Sequence, residues 1–176
     1  MSAPSGGRAE ILGTAVGTGL LCVLGPIELG WVEAIPISLQ SLVVLAVPLA
    51  LGSRVGVTCV VTYLVLGIAG LPVLAGGSSG LGKLWGSTTG FLLGFVLAAA
   101  FVGRLRDRGR VRGWIRPIAA MGAGHAVLLV PGFVWLAGWT SGQADLVGTF
   151  VGLLPGLAVK SVVGGVLVAG FDRVRA

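Results

Sequence analysis

Residues 55–103 read VGVTCVVTYLVLGIAGLPVLAGGSSGLGKLWGSTTGFLLGFVLAAAFVG, two long apolar runs around a glycine-rich segment at 70–90. A bilayer core takes about 20 apolar residues as a helix, with a range of roughly 17–25. Each run therefore reads as a membrane span. Glycine lets backbone approach a ligand or another helix, and it costs conformational entropy to order. The segment at 70–90 is thus either a loose connector or a shaped binding loop.

The rest of the chain agrees with a membrane setting. Of its 176 residues, 55% are hydrophobic and 10% charged, and the mean hydropathy is +1.02. Soluble domains carry about 25% charged residues. Glycine occurs 32 times, which suits lipid, where small residues let helices pack closely. The length fits one helical domain without an appended soluble module.

Six apolar segments are expected as helices, at about 10–26, 37–52, 55–71, 87–103, 117–138 and 149–171. The second and third are near or under the minimum span. The fold class expected is an all-α integral membrane protein with six transmembrane helices. Residues 1–8 read as a disordered cytoplasmic tail, 9–172 as a single six-helix transmembrane domain and 173–176 as a second cytoplasmic tail. Arg8 before an apolar run has the look of a signal peptide, but the run is long and further spans follow, so it reads as the first membrane helix.

Charge fixes the expected orientation. With the N-terminus inside, inner loops hold Arg8, Arg54, Arg104, Arg106, Arg108, Arg110, Arg112, Arg116, Arg173 and Arg175, whereas outer connections hold only Lys83. Basic loops stay cytoplasmic, so both termini of a multi-pass protein are expected in the cytoplasm. The run RLRDRGRVR at 104–112 has the charge of a nucleic-acid or anionic-lipid surface. No aromatics interleave it, so it reads as a topology anchor and no nucleic-acid partner is expected.

Few residues can carry chemistry. Cys22 and Cys59 lie in apolar segments and read as small buried hydrophobes. No Cys/His cluster has metal-ligand spacing, so no metal and no cofactor are expected. Lys160 is the one formal charge well inside an apolar span. A lysine at a helix centre costs roughly 2.5–3.5 kcal/mol on insertion scales. It lies five residues past Pro155, so it is expected about 7 Å along the helix from its outer end. It either snorkels to the outer interface or meets a ligand carboxylate, and the preceding Pro155-Gly156 favours a shaped site.

Gly77, Gly82 and Lys83 match most of a phosphate-loop pattern, which fails at Leu84 where a hydroxyl must reach magnesium. ATP-driven work would have to come from a partner. Thr88 and Thr89 at a helix start suit capping or ligand hydrogen bonds. Trp85 reads as an interfacial anchor or a wall for a ring-shaped ligand. Gln40 needs a partner helix or a ligand. His125 reads as a buried hydrogen-bonding residue, and nothing around it forms a catalytic set, so no enzyme is expected. On the first span, Gly13 with Gly17 and Ala15 with Gly19 give small-xxx-small spacing for close packing, within the chain or on a partner.

The stretches IPISLQSLVVLAVPLALGSRVGV and YLVLGIAGLPVLAGGSSGLGKLWGSTTGFLLGFVLAAAFVGRL resemble the BioY family, the membrane-embedded S components of energy-coupling-factor transporters for biotin. The match is strong over about 35–105 and weaker at Gly124-His125, Trp135-Leu136-Ala137 and Pro155-Gly156. The resemblance implies a six-helix protein that binds biotin near the outer face, then docks on a transmembrane coupling protein driven by two ATPase subunits. Ala15 and Gly19 best fit the docking motif. Substrate contacts would come from Lys160, Gln40, Gly76, Gly77, Trp85, Thr88, Thr89, Phe91 and His125. Two positions depart from the family pattern. Leu157 stands where an aspartate is usual, and Phe91 replaces a tyrosine. The alternative is an S component of the same fold for a different small molecule.

Overall fold

The computed structural model describes residues 5–32, 35–143 and 145–175. Six helices follow in order: α1 (Ser5–Leu24), α2 (Gln40–Leu51), α3 (Ser53–Ile68), α4 (Thr89–Asp107), α5 (Ile115–Trp139) and α6 (Leu146–Arg175). The expected count of six helices holds. A short antiparallel hairpin, β1 (Glu28–Val32) and β2 (Ile35–Ser38), joins α1 to α2. The sequence reading did not anticipate it. Of the expected N-terminal tail, residues 1–4 lie outside the described residues, and α1 already begins at Ser5.

Four helices, α1, α4, α5 and α6, are long and apolar enough to cross a membrane. With 12 and 16 residues, α2 and α3 reach only about 18 and 24 Å at 1.5 Å per residue. The shortest helix is nevertheless the central one, and α2 packs on all five others. Beyond its polar start at Gln40 and Ser41 it is apolar all round, as suits a largely buried helix, and Val43, Val44, Leu45, Val47 and Leu49 are all buried. Only Gly52 separates it from α3, and that residue turns the chain at φ 89°, a conformation that glycine reaches without steric cost.

The abundant glycine is spent on helix contacts. Along the seam between α4 and α5, a side chain at Gly90 would strike the Pro131 carbonyl, and one at Gly94 would strike that of Leu128. On α1, Gly17 lies against Cys59 and Val47 of the bundle. Both cysteines are free, as their apolar setting implied, and Cys59 is fully buried.

One end of the bundle gathers the arginines. There Arg54 pairs with Glu10 at 3.4 Å, Arg106 with Asp172, and Asp107 accepts from the backbone and hydroxyl of Ser53. These contacts tie the start of α1, the α2–α3 turn and the ends of α4 and α6 together. The hairpin, the segment at 70–90 and the α5–α6 connection lie at the other end.

Candidate functional site

Because α2 is short, its first residues start deep in the bundle beside α6. Ser41 meets Lys160 there, whose Nζ donates to Ser41 Oγ at 3.0 Å. Lys160 is 8% exposed. The helix runs straight through Pro155 from Leu146, which places Lys160 fourteen residues from the helix start, about 21 Å in. Buried and bonded to Ser41, the ammonium stays within the protein instead of snorkelling outward.

No carboxylate pairs with Lys160 among the described residues. The buried ammonium has three donors, and one hydroxyl satisfies one of them. A hydrogen bond to a charged group returns about 1.5–3 kcal/mol, against the roughly 2.5–3.5 kcal/mol that mid-span placement costs. The arrangement is a cation short of acceptors.

The neighbouring residue extends the polar cluster. Ser161 Oγ lies 3.0 Å from His125 Nδ1, joining α6 to α5. His125 is buried, as expected, and its Nε2 has no partner. A second thread roots α2 on α3. Gln40 Nε2 donates to the Tyr63 hydroxyl at 2.8 Å, which in turn donates to the Val73 carbonyl at 2.9 Å. Gln40 thus finds the partner helix that lipid demands. Ser41, Ser161 and Tyr63 were missed from sequence, although the two serines directly follow Gln40 and Lys160 and Tyr63 is the chain's single tyrosine.

The segment at 70–90 has its own fixed structure. Leu74 and Ser78 form a bridge, Gly80 N–H donates to the Gly67 carbonyl at 2.8 Å, and Val73 and Leu74 are buried. Gly76 and Gly77 sit at φ 64° and 69°, and a side chain at Gly76 would stand 3.2 Å from the Glu28 carboxylate. Trp135 Nε1 donates to the Gly86 carbonyl at 2.9 Å, latching the segment onto α5. The Thr89 hydroxyl is consumed locally, accepting from Gly86 N–H at 3.2 Å. Thr88 occupies the position before α4 without capping it through its side chain. Phe91 is half-buried, edge-on to Phe133 at 6.0 Å, and Phe133 is edge-on to Phe150 at the same spacing. Trp85 is 73% exposed.

His125 is therefore tied to Ser161, the residue after Lys160, and Lys160 to Ser41, whereas Gln40 bonds to Tyr63 of α3 on a separate thread. Gly76, Gly77, Trp85 and Thr88 belong to the 70–90 segment and make no hydrogen bond to that cluster among the described residues. Leu157, one turn before Lys160, is partly buried against the core.

On α1 the two small-residue pairs separate. Gly13 and Gly17 face the bundle, while Ala15 and Gly19 are exposed, with open space where a Gly19 side chain would stand. Ala15 lies in a groove of about 670 Å³ shared with Thr14, Thr18, Thr58 and Thr62.

The chain matches the BioY family model over residues 4–176. It is 35% identical over 171 residues to the biotin transporter BioY of Rhizobium etli, covering 90% of each chain. It is 35% identical over 129 residues to biotin transporter BioY2 of Lactococcus lactis, covering 72% of this chain and 68% of that one. Its fold superposes on the crystal structure of an S-component for biotin from an ECF-type ABC transporter, with a TM-score of 0.83 at 22% identity over 98% of this chain and 95% of that one.

Proposed function

The chain belongs to the BioY family, and from that premise we propose that it is the substrate-binding membrane subunit for biotin uptake. The observation that carries the reading is Lys160, buried, cationic and supplied with a single hydroxyl partner. Biotin offers a carboxylate on an apolar chain and a ureido ring. Lys160 and Ser41 receive the carboxylate in a charge-assisted hydrogen bond. Gln40 and the unpartnered Nε2 of His125 serve the polar ring, and Leu157 and Phe91 supply apolar wall.

The arginine-rich end faces the cytoplasm by the positive-inside rule, which places both termini there. The cluster then opens toward the outer face beneath the hairpin and the 70–90 segment, with Gly76, Gly77, Trp85, Thr88 and Thr89 in the cover. Ala15 and Gly19, on the open face of α1, dock on a transmembrane coupling protein that two ATPase subunits drive. The protein is a multi-pass component of a prokaryotic plasma membrane.

The test is mass spectrometry of the ligand that co-purifies with the folded protein, followed by titration of the stripped protein with biotin. Bound biotin and saturable rebinding are expected. Correctly folded protein that neither carries nor binds biotin would overturn the reading.

Leu157 favours a second reading, an S component for another small molecule. An aspartate there would accept from the ureido N–H groups, and leucine cannot. Under the biotin reading Leu157→Asp tightens biotin binding about tenfold, one extra charge-assisted hydrogen bond. A different co-purified ligand, with no gain for biotin on this substitution, would support the second reading.

A further inference from the structure

The arginines between α4 and α5 are held in a fixed loop. Gly109 ends α4 at φ 64°, its N–H donating to the Arg106 carbonyl at 2.9 Å, and Arg110 N–H reaches the Leu105 carbonyl at 3.0 Å. These are the paired bonds of a Schellman close. Gly113 turns the chain again at φ 78°. Between the two glycines Val111 is buried in the hydrophobic core. It pins the loop and leaves Arg110 and Arg112 exposed on either side.

A cavity of about 600 Å³ lies against this loop, lined by Arg106, Gly109, Val111, Arg112, Asp172 and Arg175. Arg106 is neutralised by its two-pronged pairing with Asp172. Arg112 and Arg175 have no carboxylate partner among the described residues. The cavity thus presents uncompensated positive charge at an end where ten arginines face Glu10, Asp107 and Asp172.

The surroundings decide between a free anion and a lipid. Trp114, Ile115, Phe171 and Val174 are exposed there, Ile115 at 79% and Val174 at 89%. The Arg173 guanidinium sits over the Trp114 ring at 4.3 Å and that of Arg175 over Phe171 at 5.0 Å. Exposed apolar groups in contact with guanidinium groups suit a molecule with a charged head and an acyl chain. We propose that this cavity binds the phosphate headgroup of an anionic phospholipid, with Arg112 and Arg175 on the phosphate and the exposed apolar side chains along the acyl chain. Residues that set topology would then also hold a specific lipid, a role separate from substrate binding.

The test uses the full chain in nanodiscs of phosphatidylcholine with about one-third phosphatidylglycerol. Immobilised spin-labelled phosphatidylglycerol is compared with spin-labelled phosphatidylcholine. The wild-type protein is expected to retain the anionic lipid selectively. Arg112→Gln combined with Arg175→Gln weakens that retention roughly ten- to thirty-fold, the worth of two basic groups near an anionic surface. Arg104→Gln combined with Arg108→Gln removes the same charge outside the cavity and leaves retention unchanged. No lipid preference in the wild-type protein would overturn the proposal, and that result needs no variant. Equal loss from both pairs, showing diffuse charge attraction, would also overturn it. So would full displacement by millimolar inorganic phosphate, showing a site for a free anion.

Discussion

Lys160 of α6 and Ser41 of α2 are joined by a 3.0 Å hydrogen bond across 119 residues of sequence. The bond sets the polar start of the central helix level with the middle of the longest one. It is also the single polar contact of a buried ammonium among the described residues.

Ser41→Ala is expected to lower the stability of the ligand-free protein by about 1.5–3 kcal/mol, since it strips the last partner from a charged group. Saturating biotin should recover much of the loss, because the carboxylate supplies the missing acceptor. Thermal unfolding in detergent with and without biotin checks this. An equal loss in both conditions would assign Ser41 a packing role alone.

Lys160→Ala is expected to weaken biotin binding by about a hundredfold, from loss of a desolvated charge-assisted contact of roughly 3 kcal/mol. Biotin methyl ester, which lacks the charge, should lose far less. Tryptophan fluorescence titration with both ligands measures the contrast. Equal loss for acid and ester would remove the carboxylate from Lys160.

Tyr63→Phe severs both hydrogen bonds of the hydroxyl that links Gln40 to the Val73 carbonyl. A cost of about 1–3 kcal/mol follows from the two groups left unpaired. Amide exchange should rise in the residues that follow Val73, within the 70–90 segment. Unchanged exchange there would show that the segment is held by its own bonds.

Gly17→Leu and Gly19→Leu separate internal packing from docking. The first puts a side chain against Cys59 and Val47 and the second puts one into open space. Gly17→Leu is expected to reduce the yield of folded protein, by an overpacking cost of about 1–3 kcal/mol. Gly19→Leu should leave stability and biotin binding intact while abolishing uptake in cells that hold the coupling complex. Normal uptake by Gly19→Leu would move the docking face elsewhere.

The six helices were legible because each is an apolar run ended by glycine, proline or arginine. Most boundaries fall within a few residues of expectation, as at 117–138 against Ile115–Trp139. The depth of Lys160 was not legible. Proline suggested a helix end, yet α6 passes through Pro155, because neighbouring helices tolerate a proline inside a span. The hairpin escaped notice because its strands are four and five residues long and one contains Pro36, which disfavours a strand. For the site, isolated polarity in an apolar run picked out Lys160, Gln40 and His125. Their partners Ser41 and Ser161 are small hydroxyl residues that any helix accommodates, and only packing shows which hydroxyl meets which head group. The rigidity of the 70–90 segment was equally hidden, since it rests on backbone hydrogen bonds that composition does not record.

The seam between α4 and α5 reverses the usual meaning of a hydropathy score. At Gly90 and Gly94 the two backbones touch where a side chain would otherwise stand. A change to valine or leucine raises the apolar character of the span and looks benign on any transfer scale. It would instead wedge the pair apart. In this protein, variants that appear better suited to lipid at those positions are the ones to read as damaging.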